Sequence, residues 1–428
     1  MPSNSHQRSQ QKQLGRLIVL LLFAGSVLNY MDRSLLSVIM PQVRRDLSLT
    51  NTDFGLAVNA FLIMYTIFYI LGGRIADRVG CWSTFAVTLT FWSIAGMAHS
   101  FVQGLRSLAL CRALLGMGEG GFYPAAMRGV AEWSPPENRA KVVGLILSAI
   151  SVGTLLTPPL VSWITIHYGW RASFLAIGTV GLLLLPPWLL LSRRIPQTDG
   201  AYDLASSKTQ EPELDTLAED DLSLSEILRT RKYWCVLTAR ASTDAAWYFY
   251  LFWTSGYFQE VRRFDLAAVG RLLWIPYFSA GVGALAGAWA SSTLIQRGLG
   301  LDFSRKTVLL ASASLCVVGA SACFAPSAYL ALALVSVALF GHLSWSANIH
   351  TVITEIAPPR HVAVLYGITG AAGTLLGASA QLPIGRVIDL RGYKPAFVWA
   401  GMTYVLAAML LLAAGTVERI RRTVVPVG

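Results

Sequence analysis

Gly72-Gly73-Arg74-Ile75-Ala76-Asp77-Arg78-Val79-Gly80 decides the fold of this 428-residue chain. It is a short polar connection with small residues at its start and a Gly at its end, and apolar runs at 54–73 and 83–103 flank it. Each run is close to the roughly 20 residues that a helix needs to cross about 30 Å of hydrocarbon. Two such helices on so short a connection must run antiparallel. Working outward, runs of the same kind recur at 17–40, 107–131, 142–164, 171–192, 234–257, 267–293, 306–325, 328–352, 362–386 and 394–415. The expectation is an all-α membrane protein of about twelve spans. With 13% charged residues, against about a quarter in soluble domains, a soluble reading is excluded.

The net charge of +11 is spread through short loops rather than gathered on one face, so nucleic acid is not an expected partner. The charges report topology instead. If span one runs outward, one set of loops holds Arg74, Arg78, Arg139, Lys141, Arg193 and Arg194 among many others. The opposite set is sparse, with Arg44, Arg45, Arg106 and Arg171 in the first half. That asymmetry puts both termini in the cytoplasm. Span one begins like a signal peptide but runs into Asn29, Asp32 and Arg33 without a small-residue cleavage site, so it is read as retained.

A polar, acid-rich stretch without apolar periodicity divides the chain. The expected bodies are an N-terminal six-helix bundle at 1–192, a cytoplasmic linker at 193–232 and a C-terminal six-helix bundle at 233–428. The halves echo each other. Gly287-Ala288-Trp289-Ala290-Ser291-Ser292-Thr293-Leu294-Ile295-Gln296-Arg297-Gly298 repeats the opening connection, with Ser292 in place of the acid. The five cysteines show no disulfide framework or metal-ligand spacing. There is no phosphate-binding loop, His-Glu-x-x-His motif or nucleophile elbow, so neither an enzyme nor a cofactor or metal is expected.

A few ionisable residues interrupt the spans. Asp32 and Arg33 lie in the second half of span one, and Arg112 and Glu119 lie in span four. An unpaired charge at such depth costs at least ~2.5–3.5 kcal/mol, so all four are expected to face the bundle interior. The seven-residue spacing puts Arg112 and Glu119 on one helical face, roughly 10 Å apart. Arginine stays charged, so a buried arginine is either held by an acid or available to a carboxylate from solution. Burial favours the neutral acid and a neighbouring guanidinium the charged one, which makes such an acid a candidate proton carrier. Protonation of Asp32 or Glu119 would then free Arg33 or Arg112 for an organic anion. The alternative is that these pairs only fasten spans one and four.

In span seven, Arg240 and Asp244 are four apart and read as a structural or gating pair. Tyr250, Trp253 and Tyr257 recur there at helical spacing and suit a sugar-like ligand, while an interfacial belt accounts for most other aromatics of that span. In span ten, His342 reads as a hydrogen-bonded packing histidine, with a part in coupling as the alternative, and Trp345 and Asn348 are candidate ligands without a spacing signature.

The opening connection resembles the Gly-x-x-x-Asp-Arg-x-Gly signature of the major facilitator superfamily, although Cys81 and Trp82 stand where basic residues usually follow. That resemblance implies a gating role for Asp77 and Arg78. Asn29-Tyr30-Met31-Asp32-Arg33, Arg112 through Gly120, and Leu228 through Trp247 are similar to the anion:cation symporters, and within that group to the hexuronate transporters. The resemblance implies proton-driven import of a sugar acid by alternating access, in a bacterial inner-membrane protein expected to be a monomer. Carried over by position, Arg33 and Tyr65 contact substrate. Asp32, Arg112 and Glu119 couple protons, Arg112 being a candidate anion ligand as well. Sugar-acid carriers often have an Asn in span eleven, where this chain has the small-residue run Gly367 to Gly373, so hexuronate and aldonate both stay open. The competing reading is a proton-coupled drug or metabolite exporter. Its usual Gly-Pro motif in span five is incomplete here, with Gly153 and Pro158-Pro159.

Overall fold

The computed structural model describes residues 3–134, 136–193, 222–358 and 361–420; of the expected linker, 194–221 lie outside the described residues. Regular structure among the described residues is helical throughout. In chain order the α-helices are α1 (Ser3–Leu47), α2 (Asn51–Ala98), α3 (Leu105–Gly120), α4 (Phe122–Trp133), α5 (Pro136–Tyr168), α6 (Trp170–Leu183), α7 (Leu185–Arg193), α8 (Leu224–Ile227), α9 (Arg231–Glu260), α10 (Leu266–Leu272), α11 (Trp274–Gln296), α12 (Leu301–Ala320), α13 (Ala328–Ile356), α14 (Val362–Arg391) and α15 (Lys394–Ala413).

Local chemistry sets the breaks. Thr50 and Asp53 close a capping box at the start of α2, with Asp53 N donating to Thr50 Oγ1 at 3.1 Å and Thr50 N to Asp53 Oδ2 at 2.9 Å. Spans two and three both lie in α2, because their connection has shrunk to a kink at Gly80, whose φ of 82° suits only a residue without Cβ. Gly298 holds the equivalent place in the second copy with φ 85°. A further echo joins Tyr168-Gly169-Trp170-Arg171 to Arg391-Gly392-Tyr393-Lys394, where Gly169 and Gly392 have φ of 83° and 73°. Span four behaves oppositely and is interrupted at Gly121.

Among the described residues, nine helical stretches are long and apolar enough to cross a membrane. The other long helical runs are α3 with α4, α9 and α14. Two of them carry the buried charges Arg112, Glu119 and Arg240, and the third is the glycine-rich run of span eleven. Polar residues placed for a purpose lower the apolar signal of a span.

The chain forms two compact units, one from Met1–Gln210 with Phe252–Trp274 and one from Glu211–Leu251 with Ile275–Gly428. In the first, α3 presses against α2 on two sides. A Cβ at Gly116 would run into the carbonyl oxygen of Phe61, one at Gly120 would stand 2.6 Å from Tyr65 O, and one at Gly118 2.7 Å from Trp92 Cβ. Only glycine permits that approach, and it carries Glu119 deep into the unit. Arg128 Nη1 donates to Ala76 O at 2.6 Å and ties α4 to the connection quoted at the outset.

Phe249 and Phe252 of α9, which the belt reading would expose, are buried, and so are Tyr250, Trp253 and Tyr257. Trp253 packs edge-on against Phe54 at 4.9 Å.

Gly116→Ala should lower the melting temperature of the detergent-solubilised protein, by a strain of about 1–3 kcal/mol. Gly144→Ala, where a Cβ meets nothing within 4 Å, should leave the melt unchanged.

Candidate functional site

In the first unit, α1, α2 and α3 bring Asp32, Arg33, Tyr65, Arg112 and Glu119 together, and all five are buried. Adjacent residues on α1 point to different neighbours. Arg33 faces Glu119, donating from Nη2 at 3.1 Å and from Nε at 3.3 Å to Glu119 Oε2. The Arg33 and Glu119 side chains are 3% and 0% exposed, so this ion pair is held away from solvent. Asn29 Oδ1 accepts a further bond from Arg33 Nη2 at 3.4 Å.

Three rings surround the same guanidinium. Its Cζ lies 4.3 Å from the Tyr65 centroid, 4.7 Å from Tyr30 and 5.3 Å from Phe61. Aromatic faces attract a cation, more strongly where water is excluded, so Arg33 keeps favourable contacts even when its carboxylate partner changes. Phe61 and Tyr65 lie one turn apart on α2, and their rings are stacked at 5.9 Å. Sequence reasoning missed Phe61 and Tyr30 as cage members, although the one-turn spacing to Tyr65 was the available signal for Phe61.

Arg112 lies within electrostatic reach of both Glu119 and Asp32. The i,i+7 alignment with Glu119 holds, but Glu119 has given Oε2 to Arg33, and its Oε1 has no hydrogen-bond partner. Nε and Nη2 of Arg112 and Oδ2 of Asp32 are also buried without partners. Asp32 packs against Gly96 of α2, where a Cβ would stand 3.4 Å from Asp32 Oδ1. The site therefore holds one closed ion pair and one open group of acid and guanidinium. Exchange of a carboxylate on Arg33 is chemically simple, since an incoming anion can replace Glu119 in the same charge-assisted geometry.

The second unit arranges its polar residues differently. Arg240 Nε is 3.4 Å from Asp244 Oδ2, and Arg240 Nη1 donates to Thr369 Oγ1 at 2.6 Å. The glycine run of α14 is the seat of this pair. A Cβ at Gly373 would collide with the Asp244 carboxylate, and one at Gly370 would stand 3.4 Å from Arg240 Nη2. The small-residue run of span eleven, a departure when judged by substrate binding, is thus a packing requirement of span seven.

Trp345 is buried with its Nε1 lacking a partner, and its ring meets Tyr404 edge-on at 6.2 Å. Asn348 is engaged on both sides of its amide, donating to Ser344 O at 3.0 Å and accepting from Arg305 Nη1 at 3.5 Å. Arg305 in turn pairs with Glu355 at 2.7 Å and donates to Ser291 Oγ at 2.6 Å. Nothing in the sequence links these positions, which come together only through packing of α11, α12 and α13. His342 stacks on Trp247 at 4.9 Å and shares a 2.5 Å hydrogen bond with Tyr404 Oη, as a packing histidine does. Of the two residues expected to gate from the opening connection, Arg78 is exposed, and the side chain of Asp77 lies outside the described residues.

Removal of one partner from a buried pair leaves an uncompensated charge. Glu119→Ala should therefore cost about 3–5 kcal/mol in thermal unfolding of the detergent-solubilised protein. The double replacement Arg33→Met with Glu119→Leu should cost less than that single change.

Comparison with known proteins matches residues 22–380 to the model of the Major Facilitator Superfamily. The D-galactonate transporter of Escherichia coli O6:H1 is 26% identical over 421 residues, covering 94% of this chain and 96% of the relative. The hexuronate transporter of Bacillus subtilis is 28% identical over 400 residues, covering 92% and 93%. The probable galactarate/D-glucarate transporter GudP of the same organism is 26% identical over 429 residues, covering 94% and 92%. Among solved structures, a bacterial homologue of the human lysosomal transporter Spinster aligns with a TM-score of 0.74 at 18% identity, covering 93% of this chain and 96% of that one. A D-xylose-proton symporter aligns at 0.72 and 19%, covering 92% and 96%. At these identities the structural likeness speaks for the fold alone.

Proposed function

Because this chain belongs to the Major Facilitator Superfamily, a family of secondary transporters and not of enzymes, we propose that it imports a small organic anion of the sugar-acid class together with protons. The observation that carries the reading is the buried Arg33 guanidinium, caged by three rings and paired with the Glu119 carboxylate. A fixed positive charge whose counter-ion is a protonatable acid is suited to exchange that acid for a substrate carboxylate. The names of the relatives support the class: galactonate, hexuronate, and galactarate or glucarate are all sugar acids.

In this mechanism a proton neutralises Glu119, which releases Arg33, and the substrate carboxylate then takes the vacated hydrogen bonds. Tyr65 holds the guanidinium and offers a ring face to the sugar. Asp32 carries a second proton, and Arg112 answers its change of charge. Trp345, with an indole N–H free of partners, is the ligand we assign from span ten. Asn348, already bonded through both amide atoms, is left to the Arg305 and Glu355 network. Arg240 and Asp244, with the Asp77 and Arg78 connection, are assigned to gating.

The two six-helix bundles, at 1–192 and 233–428 with the linker 193–232, alternate access to the site. The protein works as a monomer in the bacterial inner membrane with both termini cytoplasmic, as the basic loops indicate.

The test is uptake of labelled glucuronate and galactonate into proteoliposomes under an imposed inward proton gradient. Uphill accumulation is expected, with Arg33→Ala losing binding and Glu119→Gln losing accumulation tenfold or more while keeping exchange. No uptake of any sugar acid, together with efflux of cationic dyes, would establish the exporter reading instead.

A further inference from the structure

The open group beside the ion pair has a member that the proposed function leaves unused. His99, in the short turn His99–Phe101 that follows α2, is completely buried. Its Nδ1 sits 2.8 Å from Ala95 O and 3.2 Å from Gly96 O. A carbonyl oxygen only accepts, so Nδ1 carries the ring proton and Nε2 is left as a bare acceptor. The ring is held in place by stacking on Phe174 of α6 at 4.8 Å and 15°. Nε2 is buried and has no partner. The charged group that acts on this imidazole is Arg112.

Trp92, Gly96 and His99 are spaced by four and three residues, which places them on one helical face. Gly96 is the residue against which Asp32 packs. Two buried acceptors without partners therefore belong to this neighbourhood, His99 Nε2 at the end of that face and Oδ2 of Asp32, which packs against it from α1. Nε and Nη2 of Arg112 are buried donors without partners, and the Trp92 side chain is a donor that acts on Asp32. Arg112 is also acted on by Glu119 and Cys111; Glu119 gives Oε2 to Arg33 and keeps Oε1 as a further acceptor without a partner. Buried guanidinium N–H groups left without acceptors are costly, so each needs a partner in every working state.

We infer that His99 is a positioning residue, whose Nε2 accepts from Arg112, directly or through one water, whenever Asp32 is neutral. The inference rests on the reading of Asp32 as a proton carrier. While Asp32 is a carboxylate, it is the stronger acceptor and Arg112 turns to it. When Asp32 takes a proton from solution, the charge that held Arg112 is gone and the proton stays on Asp32. His99 then keeps the guanidinium in the site instead of letting it follow the pull of Glu119 and compete with Arg33. Neutral imidazole suits this task, since it satisfies donors without adding charge.

A double-mutant cycle in thermal unfolding of the purified protein tests this without any substrate. Asp32→Asn mimics the protonated acid, and His99→Asn keeps the bond to Ala95 O but removes the outer acceptor. His99→Gln restores an acceptor near the Nε2 position. His99→Asn should lower the melting temperature by at least about 3 °C more in the Asp32→Asn background than in the wild type. His99→Gln should remove that excess. Additive effects, His99→Gln behaving like His99→Asn, or failure of His99→Asn to fold while Asp32 is intact would each overturn the inference. Proton-driven uptake by Asp32→Asn is read separately. If it is undiminished, the coupling role of Asp32 falls while the cycle still decides His99.

Discussion

A permanently charged guanidinium in the interior of a membrane helix bundle is the constraint on which the first unit is built. Arg33 cannot shed its proton, and its side chain is almost wholly removed from solvent. The structure answers with a carboxylate, an amide oxygen and three aromatic faces, each from a different position on α1, α2 or α3. The rings supply attraction that does not depend on the protonation of Glu119. Glu119 supplies attraction that does. That division is what the proposed exchange of counter-ion on Arg33 requires.

The arrangement depends on backbone contact. Gly116, Gly118 and Gly120 bring α3 against both limbs of α2, so that Glu119 reaches α1 across a distance that ordinary side chains would have kept open. The second unit uses glycine for the same purpose with a different result, since Gly370 and Gly373 seat Arg240 and Asp244 against α14. There the pair is further tied to Thr369. The two buried pairs thus look alike in sequence and differ in what surrounds them, aromatic rings and an amide oxygen for Arg33, and Thr369 with the glycine run of α14 for Arg240.

The outline of the fold was legible because spans are long and their connections distinctive. Gly80 and the run around it marked the antiparallel pair, even though the structure reduces the connection to a kink. The inward-facing charges were legible for a related reason, since ionisable residues in a span have few other places to go. Partner choice was not. Helical spacing set Glu119 over Arg112, yet its hydrogen bonds go to Arg33, because the approach of α3 to α1 is a tertiary matter that spacing along one helix does not contain. The burial of the α9 aromatics escaped a belt reading for the same reason, and Arg305 with Glu355 and Asn348 meet only through the packing of three helices. His99 gave no signal, being a single histidine at the end of a span with no motif around it.

The central claim is that Glu119 holds the place of a substrate carboxylate on Arg33. A structure of the protein in lipid nanodiscs with a bound sugar acid, determined at low pH, tests it most directly. The account predicts the ligand carboxylate within ~3 Å of the Arg33 guanidinium, with Glu119 turned away. A bound ligand elsewhere, with the Arg33 and Glu119 pair intact at its present 3.1 Å, would contradict it.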